Sequence, residues 1–150
     1  MKQYLKKTTS LLLTVTLLVI SFAMPASAAV ERSSLYLSCY RAWLTPESGG
    51  KIDVTIDVQA VGDMDDVGAT KVVMYESTDG GTTWNRDGTY VDALHPELLQ
   101  QNTYWYYETP ISHQGTPGYK YFAIITLYAG DSTGYDTKEY QTTTVTAKWF

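Results

Sequence analysis

The sequence predicts an all-β fold, a two-layer antiparallel sandwich of seven to eight strands. Three observations carry that expectation. From residue 33 onward Tyr, Thr, Val and Ile are abundant, and these residue types suit a pleated, half-buried surface. Lys51–Val61 alternates strictly: Ile52, Val54, Ile56, Val58 and Ala60 interleave with Asp53, Thr55, Asp57 and Gln59. Period two with carboxylates on the second face means that one side packs and the other is wet. Finally, glycine-rich turn signals recur at short intervals, as a chain of hairpins requires.

Taken in order, Ser34–Leu44 reads as a first strand that ends at the turn Pro46-Glu47-Ser48-Gly49-Gly50. Lys51–Val61 is the second. Gly62–Ala69, rich in Gly and Asp, reads as a loop with a short helical turn. Lys71–Ser77 and Thr83–Val91 form a hairpin around Asp79-Gly80-Gly81, where glycine accepts positive φ without strain. Ala93–Gln101 is expected to be a short helix with Pro96 and Glu97 in its first turn. Thr103–Glu108 is a tyrosine-rich strand, followed by a turn at Gly115-Thr116-Pro117-Gly118. Tyr119–Tyr128 is apolar on both faces and so is expected at the centre of a sheet. Thr137–Ala147 follows the turn Gly130–Gly134 as the last strand. Immunoglobulin-like connectivity is the topology this pattern favours.

The N-terminus has the three parts of a secretory signal. Lys2, Lys6 and Lys7 precede an uncharged apolar run, Leu11–Phe22, and Pro25 precedes Ala26-Ser27-Ala28. The run is too short to span a hydrocarbon core of ~30 Å. Residues 1–28 are therefore expected to be a cleaved signal peptide and residues 29–150 a single secreted, extracellular domain. That domain carries eight basic and 16 acidic residues, a net charge of −8. Such a surface disfavours nucleic acid and anionic lipid, so no nucleic-acid partner and no membrane association after cleavage are expected. Cys39 is the one cysteine. Glu31, Arg32 and Tyr36-Leu37-Ser38 before it do not make a lipobox, and it reads as a small buried strand residue in a monomer.

Chemistry-bearing motifs are few. Ser77-Thr78-Asp79-Gly80-Gly81-Thr82-Thr83-Trp84 resembles the Asp-box of sialidase-like propellers. The carboxylate accepts turn amides, glycine takes the left-handed position and the aromatic packs beneath the hairpin. It occurs once, and it reads as a stabilised turn. The loop carrying Asp63, Asp65 and Asp66 does not fit an EF-hand, because Val67 stands at its fifth position and Met74 at its twelfth. The alternatives there are a looser metal site and an acidic turn. His95 and His113 have no accompanying catalytic or zinc motif. No catalytic residue, cofactor or metal is expected.

The aromatics are the most unusual feature: 12 tyrosines and four tryptophans follow residue 28. Tyr104-Trp105-Tyr106-Tyr107 puts rings on both faces of one strand, Trp105 and Tyr107 on one side and Tyr104 and Tyr106 on the other. One pair can fill the core and the other should lie on an outer face, where flat amphipathic rings suit stacking on a sugar or gripping a protein. Core filling by both pairs is the alternative.

The stretches Ala60–Glu76 and Gln114–Tyr121, with Tyr128-Ala129, Ser132–Asp136 and Thr144–Ala147, resemble a family of small secreted proteins of Gram-positive bacteria, a domain of unknown function. The resemblance implies a single immunoglobulin-like β-sandwich and no known catalytic residues. The denser aromatics and Pro117 set this chain apart. Taken together, these features predict a non-enzymatic binding or interaction module of the cell exterior, whose partner is a cell-envelope or environmental glycan or a protein. A small hydrolase using carboxylates and a secreted structural or toxin-like protein are the alternatives.

Overall fold

The long alternating segment that begins at Lys51 organises the whole molecule. A computed structural model describes residues 34–150; the predicted signal peptide lies outside them. Among the described residues seven strands follow one another: β1 (Leu37–Pro46), β2 (Lys51–Ser77), β3 (Asn85–Val91), β4 (Leu99–Gln114), β5 (Lys120–Asp131), β6 (Gly134–Gln141) and the short β7 (Val145–Thr146). All pairings are antiparallel, and they join the strands into one continuous sheet instead of the two expected layers. The first half of β2 lies between β1 and β4. Its second half pairs with β3 and β5, and β5 carries β6 and β7. The sheet curls so that β1 comes close to β5 and β6 without pairing with them; the rings of Tyr40 and Tyr140 meet edge to face, 6.3 Å apart.

The core lies inside this curl. Ile52, Val54, Ile56, Val58 and Ala60 are all buried, as their alternation predicts. Tyr121, Ala123, Ile125, Leu127 and Ala129 of β5 meet them in one cluster with Val72 and Met74. The central position expected for the apolar Tyr119–Tyr128 segment is the one β5 occupies, between β2 and β6. Truncating Ile125 is expected to cost about 2–5 kcal/mol, because a fully buried site between packed strands cannot collapse around the void. A urea titration of Ile125→Ala against the parent protein would measure this as a lower midpoint.

Three expected elements are different in the structure. Gly62–Ala69 is not a loop with a helical turn but part of the 27-residue β2. Inward positions fall on even numbers to Met64, on odd numbers at Val67 and Ala69, and on even numbers again from Val72. Register shifts flank this stretch, one between Gln59 and Met64 and one between Ala69 and Lys71, and the second coincides with the return to even numbers. The second difference is Ala93–Gln101, which forms only a single 3-10 turn at Pro96–Leu98 before β4 begins at Leu99. The predicted last strand is likewise interrupted, ending as β6 at Gln141 and resuming as β7.

The Asp-box hairpin is built as its residues dictate. Asp79 accepts hydrogen bonds from the amides of Thr82 and Thr83 and from the hydroxyls of Ser77 and Thr83. Lys120 Nζ donates to the Gly80 carbonyl at 2.7 Å, and Trp84 packs edge-on against Phe122. These donors, Thr83 above all, hold the Asp79 carboxyl far below its ordinary value of 3.8. A depressed pKa in the folded state means that the stabilisation is complete above the unfolded pKa and is lost as pH falls below it. Thermal midpoints should therefore decline from about pH 4 downward. Asp79→Asn should lower the midpoint at neutral pH and flatten that acid limb; an unchanged acid limb would show that the turn contributes nothing to it.

Candidate functional site

The four consecutive aromatics lie on β4, and the structure separates them. Tyr106 is 1% exposed, and its hydroxyl donates to the Glu97 carbonyl at 2.7 Å. Burial pushes that hydroxyl's pKa well above the ordinary tyrosine range. Tyr106 therefore belongs to the core. Trp105 and Tyr107 are exposed to 50% and 49%. Tyr104 shares the parity of Tyr106 yet is 50% exposed. Its position explains this: Thr103 pairs with Met64 and Trp105 with Gln59, so Tyr104 alone faces the bulged Ala60–Asp63 segment of β2. Thr103 Oγ1 fixes the local bend by accepting from the Trp105 amide and donating to the Trp105 carbonyl.

Cross-strand register brings partners that lie far away in sequence. Cys39, Gln59 and Trp105 form one row across β1, β2 and β4, and Arg41, Asp57 and Tyr107 form the next. Asp57 is the centre of the arrangement. One of its oxygens accepts from Trp105 Nε1 at 2.9 Å and the other from Arg41 Nε at 2.8 Å. This bond and the nearby negative charge raise the pKa of the Arg41 guanidinium. Arg41 also lies over the Trp43 ring, 5.5 Å from its centroid. Trp43 in turn stands 6.1 Å from Tyr107, and Tyr107 stands 6.0 Å from Trp105. Beside these rings, Cys39, Arg41, Asp57, Gln59, Tyr104 and Trp105 line an open depression of about 420 Å³.

Cys39 is exposed, which corrects its expected burial. It points to the wet face because it shares the parity of Arg41 and Trp43 on β1. A maleimide is expected to label it in the native protein as fast as in urea; labelling that required unfolding would contradict this placement.

The histidines come together around one tyrosine. His113 lies in β4 and not in the loop expected for it. It is 5% exposed, and its Nε2 bonds Asp87 Oδ2 while its Nδ1 bonds the Tyr90 hydroxyl, both at 2.8 Å. The ring of His95 packs against the same Tyr90, 5.2 Å away, and pairs with Glu97. With both nitrogens engaged, His113 is a satisfied interior group. The sequence offered no motif that joins these residues. Among the described residues no cluster of three or more His, Cys, Asp or Glu side chains is placed to hold a metal, and Asp63, Asp65 and Asp66 lie along β2 instead of encircling a point.

Neither a family model nor a curated protein matches this sequence.

Proposed function

We propose that the protein is a secreted, non-enzymatic module that binds a glycan on the outer face of β1, β2 and β4. The observation that carries this reading is the pair of half-exposed rings, Trp105 and Tyr107, fixed beside a depression with hydrogen-bonding walls. Sugars present apolar C–H faces and hydroxyl edges, and this combination of aromatic face and polar rim matches both. The ring of Trp105 is held by its bond to Asp57, so little conformational freedom is lost on binding. The export signal places such a face where envelope or environmental polysaccharide is met. In the same reading, the curled sheet is an immunoglobulin-like sandwich whose layers share β2, and the chain is kin to the small secreted proteins of Gram-positive bacteria that it resembles.

The electrostatics favour binding over hydrolysis. A general acid for sugar cleavage needs a raised carboxyl pKa. Among the described residues, the carboxyls with a shifted pKa (Asp53, Asp79, Glu97, Asp131 and Asp136) are all lowered. Glu97 and Glu108 do line one shallow depression, but Glu97 is drawn down by its own backbone amide and by His95.

Native gel electrophoresis through soluble polysaccharides tests the reading. The parent protein should be retarded by at least one of them, and the double variant Trp105→Ala/Tyr107→Ala should run as in a plain gel with an unchanged thermal midpoint. Retardation that survives in the double variant would move the site elsewhere. No retardation by any sugar would favour a protein partner for the same face.

A further inference from the structure

Resting on that reading, the geometry points to a ligand class: we infer that the face takes a single, uncharged polysaccharide chain, about three sugar units long, and not a crystalline polymer surface or a polyanion. The ring planes carry the first part. Trp105 and Tyr107 are tilted by 38° and Tyr107 and Trp43 by 48°. A flat crystalline face needs coplanar rings to touch them all at once. Tilted rings at 6.0 Å suit a free chain that turns from one sugar to the next, with one sugar on each exposed ring. The depression beside Trp105 receives a third.

Charge carries the second part. Asp57 and Arg41 are the charged side chains that line the depression, and they neutralise each other through the 2.8 Å bond. Asp57 already accepts from Arg41 and Trp105, one bond on each oxygen, which leaves one acceptor site on each for a sugar hydroxyl. Beside these, the terminal nitrogens of Arg41, the Gln59 amide and the Tyr104 hydroxyl can meet hydroxyls. Around this neutral patch the chain after residue 28 carries −8, which repels a polyanion.

The test measures tryptophan fluorescence of the purified protein against cello-, malto- and chito-oligosaccharides of one to six units. Polygalacturonate and hyaluronate serve as anionic comparators, and microcrystalline cellulose and crystalline chitin as solids. In at least one neutral series, affinity should rise about tenfold or more from one unit to three and then level off, as added stacking contacts imply. It should not change between about 0.05 and 0.5 M salt, because no ion pair is formed. Tyr107→Ala should remove the gain that comes with length. Adsorption to the crystalline solids, or preference for a polyanion with steep salt dependence, would overturn the inference while leaving glycan binding intact. Binding to no sugar at all would overturn the proposed function as well.

Discussion

Trp105→Ala is expected to weaken binding of a neutral oligosaccharide by about tenfold to a hundredfold, while the fold is unchanged. The magnitude follows from what the ring contributes. Covering an aromatic side chain fully is worth roughly 1.5–3 kcal/mol, and about 1.4 kcal/mol is a factor of ten. The ring is half-exposed on the outer face, so its removal opens no cavity in the core. Its loss also frees one oxygen of Asp57, leaving the carboxylate to Arg41 alone. Trp105→Phe separates the two contributions, since it keeps a stacking face but cannot donate to Asp57. Isothermal titration of both variants should give partial loss for Phe and near-complete loss for Ala. Equal loss in both would mean that the indole N–H, not the ring face, is what matters.

Gly68→Ala is expected to be strongly destabilising, costing about 1–3 kcal/mol from backbone strain alone, with the steric clash adding to it. Gly68 has φ +145°, a conformation that L side chains rarely adopt, and a Cβ there would collide with the Leu98 carbonyl. Neither neighbour can give way. Gly68 pairs with both Leu99 and Tyr128, in the middle of the sheet where β2 passes from one half to the other. Leu98 is fully buried at the end of the 3-10 turn. A domain stabilised by 5–15 kcal/mol cannot absorb such a loss without a large fall in its urea midpoint. Gly62→Ala is the control: it lies in the same stretch with open space around the added Cβ, so it should be nearly neutral.

The same Gly68 shows what the sequence could and could not reveal. The alternation from Ile52 to Ala60 was legible because each inward position is buried, and the irregularity between Val54 and Ile56 puts its extra residue on β4, which leaves the parity of β2 intact. The composition of Gly62–Ala69 resembles a loop because bulges use the residues that loops use, and a bulge shifts parity where a period-two reading needs constancy. Continuity of β2 rests on pairing with β4 and β5, which are distant in sequence. Pairing also decided the site. Trp105 and Tyr107 on one side and Tyr106 on the other followed from parity. The exposure of Tyr104 did not, because it depends on the bulge that β2 places opposite it. Arg41, Trp43 and Asp57 were visible only as outward-facing positions on two other strands. Their meeting with Trp105 depends on a register between β1, β2 and β4 that no local pattern encodes. Two histidines converging on Tyr90 are legible only in three dimensions for the same reason.

The central claim is that sugar binds the face of Trp105, and the most direct measurement is the set of indole N–H signals in a ¹⁵N NMR titration. Four tryptophans report from separate places: Trp43 and Trp105 on the proposed face, Trp84 against Phe122 by the Asp-box hairpin, and Trp149 near the C-terminus. Titrated with cellotriose, maltotriose and chitotriose in turn, Trp105 should shift saturably with at least one of them, and Trp43 should follow it through Tyr107. Trp84 and Trp149 should hold still. Shifts confined to Trp84 or Trp149, or none with any sugar, would contradict the account.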